Sequence, residues 1–220
     1  MIECNTAIAQ EGMNGDYGAN IGKVIAIRKD LPSLLKAYAA AGSDARMNGC
    51  ELPVVINSGS GNQGLTVSVP LIVYTEREHL DKEKLYRALV ISNLTAIHLK
   101  TEIGRLSAFC GAVSAGAACG AGLAYLKDAS EEVMNHTIVN ALAITSGIIC
   151  DGAKASCAAK IAVSVEAGIL GYDMYMNGQQ FYGGDGIISK GIENTIHNIG
   201  VLGSQGMAST DQEIIKIMCE

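Results

Sequence analysis

Trp is absent from this chain and Phe nearly so, and that shortage of large apolar rings restricts its fold more than any other feature. Among 220 residues there is no Trp and only two Phe, whereas Gly occurs 26 times and hydrophobic residues still make up 49%. An apolar chain without large rings closes its core by bringing backbones near one another, and small residues on helices allow that approach. The expected fold class is all-α: a compact multi-helix domain with Gly-rich helix breaks. Residues 1–220 read as a single domain, long enough for one substantial core.

Periodicity supports helices over about Ile2–Glu11, Asn20–Lys29, Leu85–Lys100, Phe109–Leu126, Ser130–Ile149, Ala153–Leu170, Gly186–Leu202 and Ser209–Met218. Pro32 suits the start of a further helix ending at Gly49, and Ser130 followed by two glutamates suits another helix start. Val54–Ile56 and Val67–Val73 have strand-like composition, but no alternation is sustained. Phe109–Leu126 is apolar yet interrupted by glycines, so it reads as buried helix rather than a membrane span. The first residues lack a basic stretch followed by an apolar run, which makes the cytoplasm the expected compartment. Net charge is -6 and no basic stripe appears, so nucleic acid is not an expected partner.

The least ordinary local composition is Asn57-Ser58-Gly59-Ser60-Gly61-Asn62-Gln63-Gly64, eight small or amide residues without a charge. It predicts a tight loop feeding a helix N-terminus. Such a loop either cradles an anion with backbone N–H groups and the hydroxyls of Ser58 and Ser60, or is a turn with no ligand. No Gly-Lys-Ser/Thr closes it as in a phosphate-binding loop.

Seven cysteines in a chain expected in a reducing compartment do not suggest a disulfide framework. Cys110 and Cys150 each adjoin a Gly-rich helix break with free N–H groups, a setting that favours a thiolate ligand. Cys157 follows closely. The competing reading is that these thiols are simply buried small hydrophobes, since no Cys-x-x-Cys pair occurs. Near them lie Asp151, Lys154 and Lys160. A lysine beside a metal centre acts as a base if burial lowers its pKa, but more often it is a solvated surface charge. Asp151 is equally suited to capping a helix. His79, His98, His136 and His197 are scattered, with no pair at ligand spacing.

Three stretches together resemble a known family. They are Ala45-Arg46-Met47 with Asn57–Gly64, Cys110-Gly-Ala-Val-Ser-Ala-Gly116, and Cys150-Asp-Gly-Ala-Lys-Ala-Ser-Cys157, joined by the tail Gly191-Ile-Glu-Asn-Thr-Ile196. They resemble the L-cysteine desulfidase group, relatives of the iron–sulfur L-serine dehydratase alpha chains. The resemblance implies a [4Fe-4S] cluster with one iron lacking a protein ligand. It implies β-elimination from L-cysteine or L-serine, with Cys110, Cys150 and Cys157 as metal ligands. The loop residues Asn57, Ser58, Gly59, Ser60, Gly61, Asn62 and Gln63 would bind substrate, with Lys154 and Asp151 in catalytic roles. Family members are considerably longer, and their Gly-Cys-Thr-Glu-Pro stretch has no counterpart here; Cys4 and Cys50 lie in other contexts. The chain is thus expected to match a C-terminal half, to need the N-terminal half as partner, and to form a homo-oligomer. The alternative expectation is a non-catalytic amino-acid-binding or assembly subunit lacking a complete cluster site.

Overall fold

The architecture is known from a computed structural model describing residues 1–104 and 107–220. Among the described residues ten α-helices follow one another: α1 Ile2–Asn14, α2 Ile21–Ala26, α3 Leu31–Met47, α4 Gly61–Arg77, α5 Lys82–Ile103, α6 Gly111–Leu126, α7 Glu131–Thr145, α8 Cys157–Met176, α9 Ile192–Val201 and α10 Ala208–Cys219. A π-helical turn, Leu202–Gly206, joins the last two. Among the described residues the only β pairing is two isolated bridges. The all-α expectation holds.

Helix α6 is the hub. All its residues except Gly111 and Tyr125 are buried, and α4, α5, α7 and α8 surround it. Small residues make this packing possible. A Cβ at Gly116 would lie 2.3 Å from the Ser164 carbonyl oxygen, and one at Gly168 would lie 2.6 Å from that of Gly116. Helices α6 and α8 therefore cross backbone to backbone, with dispersion contacts that larger side chains would prevent. The same device joins α1 to α3, where a Cβ on Gly12 would sit 1.9 Å from the Ala41 oxygen.

Capping follows the sequence signals. Asp30 accepts the Ser33 N–H at 2.8 Å with Pro32 in the first turn of α3, and Ser130 accepts the Val133 N–H at 3.4 Å. Val67–Val73 is helical, inside α4. Val54–Ile56 is extended but joins no sheet. The Asn5 amide replaces a neighbouring strand there, accepting the Val55 N–H at 2.8 Å and donating to its carbonyl at 3.3 Å.

Three helix boundaries fall short of the periodic pattern by four residues or more. Helix α7 ends at Thr145, α8 starts only at Cys157, and α9 starts only at Ile192. The first difference has a non-local cause. Phe109 and Ile149 form an antiparallel bridge, so the chain is extended where apolar periodicity alone extrapolates helix. Among the described residues no helix is long and apolar enough to cross a membrane.

Candidate functional site

Asn57 and Ser60 exchange backbone hydrogen bonds of 3.1 and 3.0 Å around a two-residue turn. Ser58 and Gly59 adopt φ of 47° and 84°, the left-handed pair that a tight turn of this kind requires. The turn delivers the chain into α4 at Gly61, so the expected loop feeding a helix N-terminus is present. Asn57 does not face the resulting pocket. Its amide donates to Asn93 on α5, at 3.0 Å to the side-chain oxygen, and thereby anchors the turn.

The bridge at Phe109 and Ile149 builds the opposite wall. Cys150 N–H donates to the Ala108 oxygen at 2.7 Å, and Cys110 N–H donates to the Ile148 oxygen at 3.2 Å. This short ladder sets Cys110 and Cys150, distant in sequence, side by side on the wall of one pocket. Cys110 is the N-cap of α6, and Cys157 is the first residue of α8.

A pocket of about 310 Å³ lies between these walls, lined by all three thiols and by Ser58, Gly59, Ser60, Asn62 and Gln63. Arg46, Lys100 and Lys160 also line it, and among the described residues no Asp or Glu does. In a chain of net charge -6 that is a concentrated cationic surface, reinforced by the N-termini of α4 and α6. A larger cleft of about 630 Å³ between α7 and the segment before α9 contains no thiol and includes Glu131 and Glu132. Volume alone would favour that cleft; the convergence of reactive and charged groups favours the smaller one.

Two glycines clear space for polar side chains at the pocket wall. A Cβ at Gly61 would fall 2.3 Å from Arg46 Nε, and one at Gly111 would fall 2.5 Å from Gln63 Nε2. Arg46 donates to Asn62 Oδ1 at 3.2 Å. Gln63 Oε1 is buried with no hydrogen-bond partner among the described residues.

The thiol pair is electrostatically asymmetric. The hydrogen bond from Cys110, with Gly152 N–H and the Lys160 charge, pulls Cys150 down to about 6 against the opposing effect of burial. As donor in that bond, and desolvated as well, Cys110 is pushed far up. Lys160 bonds the Asp151 carboxylate and, at 3.0 Å, the Ile149 oxygen; the ion pair holds the Asp151 carboxyl below its usual range. Burial lowers the pKa of Lys100, opposed by the nearby thiols.

Residues 1–216 match the family model described as serine dehydratase alpha chain. The chain belongs to the serine dehydratase alpha chain family. It is 64% identical over 219 residues to a UPF0597 protein of Desulfitobacterium hafniense, a match covering 99% of this chain and 51% of that protein. It is 54% identical over 219 residues to one from Lachnoclostridium phytofermentans, again covering 99% of this chain and 52% of that relative. The chain thus spans about half the length of the curated relatives it matches. No solved structure matches it.

Within this serine dehydratase alpha-type fold, the expected site residues separate into groups. Ser58, Gly59, Ser60, Asn62, Gln63, Cys110, Cys150 and Cys157 meet at one pocket. Gly61 lies beneath Arg46, and Asn57 supports the turn from behind. Lys154 is exposed and outside the pocket lining, and Asp151 stands behind the wall, paired with Lys160. The Cys157 sulfur is turned to its own loop, accepting the Lys154 N–H at 3.5 Å and facing the Gly152 oxygen at 3.6 Å. Accordingly, among the described residues no three Cys, His, Asp or Glu side chains converge closely enough to hold a single metal ion. Lys100 was not singled out by motif, although a signal existed. It continues the Ser92, Ala96 and Leu99 face of α5, a lone charge on a buried stripe.

Proposed function

We propose that this chain forms the cluster-holding part of an iron–sulfur-dependent lyase that eliminates the β-substituent of a small amino acid, L-serine or L-cysteine. The observation that carries the reading is the convergence of Cys110 and Cys150 on one cationic pocket that, among the described residues, has no carboxylate in its lining. The donor set suits a [4Fe-4S] group. Thiolates are its usual protein ligands, exposed N–H groups at two helix starts are available to sulfur, and cations balance its negative charge. Cys110, Cys150 and Cys157 would hold it, and when bound it supplies a Lewis-acidic iron.

The chain's own residues prepare the substrate. The first turn of α4, with Ser60, offers donors to the carboxylate, while the Ser58 hydroxyl donates to Asn57 Oδ1 at 2.8 Å and stiffens the turn; Arg46 adds a fixed cation whose fork Asn62 orients. Gln63 presents a buried amide with unmet hydrogen-bonding capacity to the amino acid's polar end. Lys160 fixes Asp151 and the Ile149 carbonyl, and so holds the strand that carries Cys150 in place. The chemistry breaks Cα–H and Cβ–O or Cβ–S, forming the Cα=Cβ double bond of aminoacrylate and losing the proton and the β-substituent together as water or hydrogen sulfide; the aminoacrylate then takes up water to give pyruvate and ammonia. In keeping with the length of its relatives, the chain would act with the half it does not span, as a separate chain or a continuous one.

Anaerobic reconstitution with ferrous iron and sulfide, in the presence of that other half, should give cluster absorbance and pyruvate from L-serine or L-cysteine. Cys110→Ser and Cys150→Ser should abolish both. Pyruvate formation that survives both substitutions would refute the proposal. A second reading, an amino-acid-binding or assembly subunit without a complete cluster site, is favoured by the Cys157 sulfur bonding within its own loop. Thermal stabilisation of metal-free protein by L-serine, without any iron uptake, would favour that reading.

A further inference from the structure

Lys100 is only 7% exposed, although it carries a charge. Burial of an ammonium is costly unless an anion or a set of acceptors compensates. Other partly buried lysines have such partners: Lys36 pairs with Glu166, Lys84 with Asp128 and Lys160 with Asp151. For Lys100, no carboxylate lies within ion-pair distance among the described residues, and Arg105 and Leu106, which lie outside that description, bring none by their chemistry. Cys110 and Cys150 line the same pocket as Lys100, and the charged forms of Cys150, Cys110 and Asp211 raise its pKa against the effect of burial. Its long side chain rises from the buried face of α5, between Leu99 and Ile103, into the pocket wall. The surrounding core thus sets the Lys100 amine in the wall of the pocket on which Cys110 and Cys150 converge.

We propose that Lys100 is the fixed counter-charge of this pocket, placed to hold an anionic occupant against Cys110 and Cys150. The inference rests on the functional reading above and deepens it. Its shared chemistry is an anion of small size, with two sources: the thiolate-bound iron–sulfur centre itself, or the carboxylate of the substrate. Lys100 is a positioning residue here, since nothing on the page places it against a reacting atom.

Lys100→Met and Lys100→Arg separate these possibilities by readouts other than turnover. In metal-free protein, methionine removes an uncompensated buried charge while keeping the packing of the chain, so its Tm should rise by about 2–4 °C. With the centre loaded, loss of iron to a chelator should be roughly tenfold faster in Lys100→Met if the centre is the anion held. If the carboxylate is the anion held, iron loss stays at the wild-type rate, but the spectral change on adding L-serine weakens by roughly the same factor. Lys100→Arg should retain most of either effect. A lower metal-free Tm for Lys100→Met, with iron retention and the L-serine response both unchanged, would make Lys100 an ordinary structural residue and overturn the proposal. Should wild-type protein take up no iron, the lyase reading fails separately. Pyruvate added to metal-free protein then decides the matter for Lys100: stabilisation of wild type but not of Lys100→Met upholds it, and equal effects on both refute it.

Discussion

Replacing Gly116 with alanine measures how far the fold depends on backbone contact between α6 and α8. The added methyl would stand 2.3 Å from the Ser164 oxygen, whereas ordinary contact begins near 3.4 Å. The two helices would have to part by roughly 1 Å, the difference between those distances. Sliding offers no escape, because Gly120 and Gly168 meet along the same line, with a Cβ on Gly120 only 2.8 Å from the Gly168 Cα. Overpacking of this kind costs about 1–3 kcal/mol, and contact with backbone rather than a flexible side chain puts Gly116 at the upper end. Alanine's higher helix propensity returns about 1 kcal/mol. The net loss is about 2 kcal/mol, a fall in Tm of about 4–8 °C for a chain of this size. Thermal unfolding by circular dichroism reads it directly. Gly147→Ala is the control, since an added Cβ there meets nothing within 4 Å, and its stability should stay within about 0.5 kcal/mol of wild type. A Gly116→Ala variant as stable as wild type would show that the helices can separate freely and that the close-approach argument is mistaken.

Other consequences are as direct. In metal-free protein Cys150 should be the thiol alkylated first by iodoacetamide, with a rate that rises as pH passes about 6; Cys110→Ala, which removes the largest cause of that lowering, should move the midpoint upward. Mass mapping of the labelled peptide checks both. Arg46→Ala should weaken substrate binding about tenfold, and Gly61→Ala should reproduce much of that loss by displacing Arg46 without removing its charge, as titration calorimetry would show. Asp44, buried beside α2 and accepting the Gly22 N–H at 2.9 Å, has its carboxyl raised by burial. A raised pKa means that this group favours the folded state at low pH and loses that contribution as pH rises through the folded value. Asp44→Asn should therefore match or exceed wild-type Tm near neutrality, with the advantage shrinking as pH falls toward 3.8. Asp44→Ala, which leaves the Gly22 N–H without its acceptor, should lose about 1–3 kcal/mol.

Much of the helix order is legible in the sequence because apolar spacing, Pro32, Ser130 and the glycines act locally. The short turn at Ser58 and Gly59 is legible for the same reason, since its residue types suit left-handed backbone. The C-terminal end of α7 is not, because a pairing between Phe109 and Ile149 decides it and no local pattern reports a partner so distant. The same bridge explains why the cysteines gave only a weak spacing signal: the ladder, not a short motif, sets Cys110 beside Cys150. Lys154 and Lys160 illustrate a further limit. Both follow Cys150 closely in sequence, but Lys160 lies on α8, where a helical turn directs it back to Asp151, whereas Lys154 sits in the preceding loop and reaches solvent. Proximity along the chain ranks them alike; the start of the helix separates them.

Core and site are mechanically one object here. Cys110 caps α6, Cys157 opens α8, and the two helices touch through Gly116, Ser164, Gly120 and Gly168. Any substitution that spreads this crossing also moves two of the three thiols relative to each other. A conventional core made of large side chains could absorb such a shift by changing rotamers, but backbone in contact with backbone has no rotamers to change. The scarcity of aromatic residues, met first as a constraint on folding, therefore also gives the thiol pocket rigid walls. Gly116→Ala should accordingly lower iron retention along with Tm. Should iron retention stay at the wild-type level in a variant that has lost several degrees of Tm, the crossing supports the fold but does not set the geometry of the site.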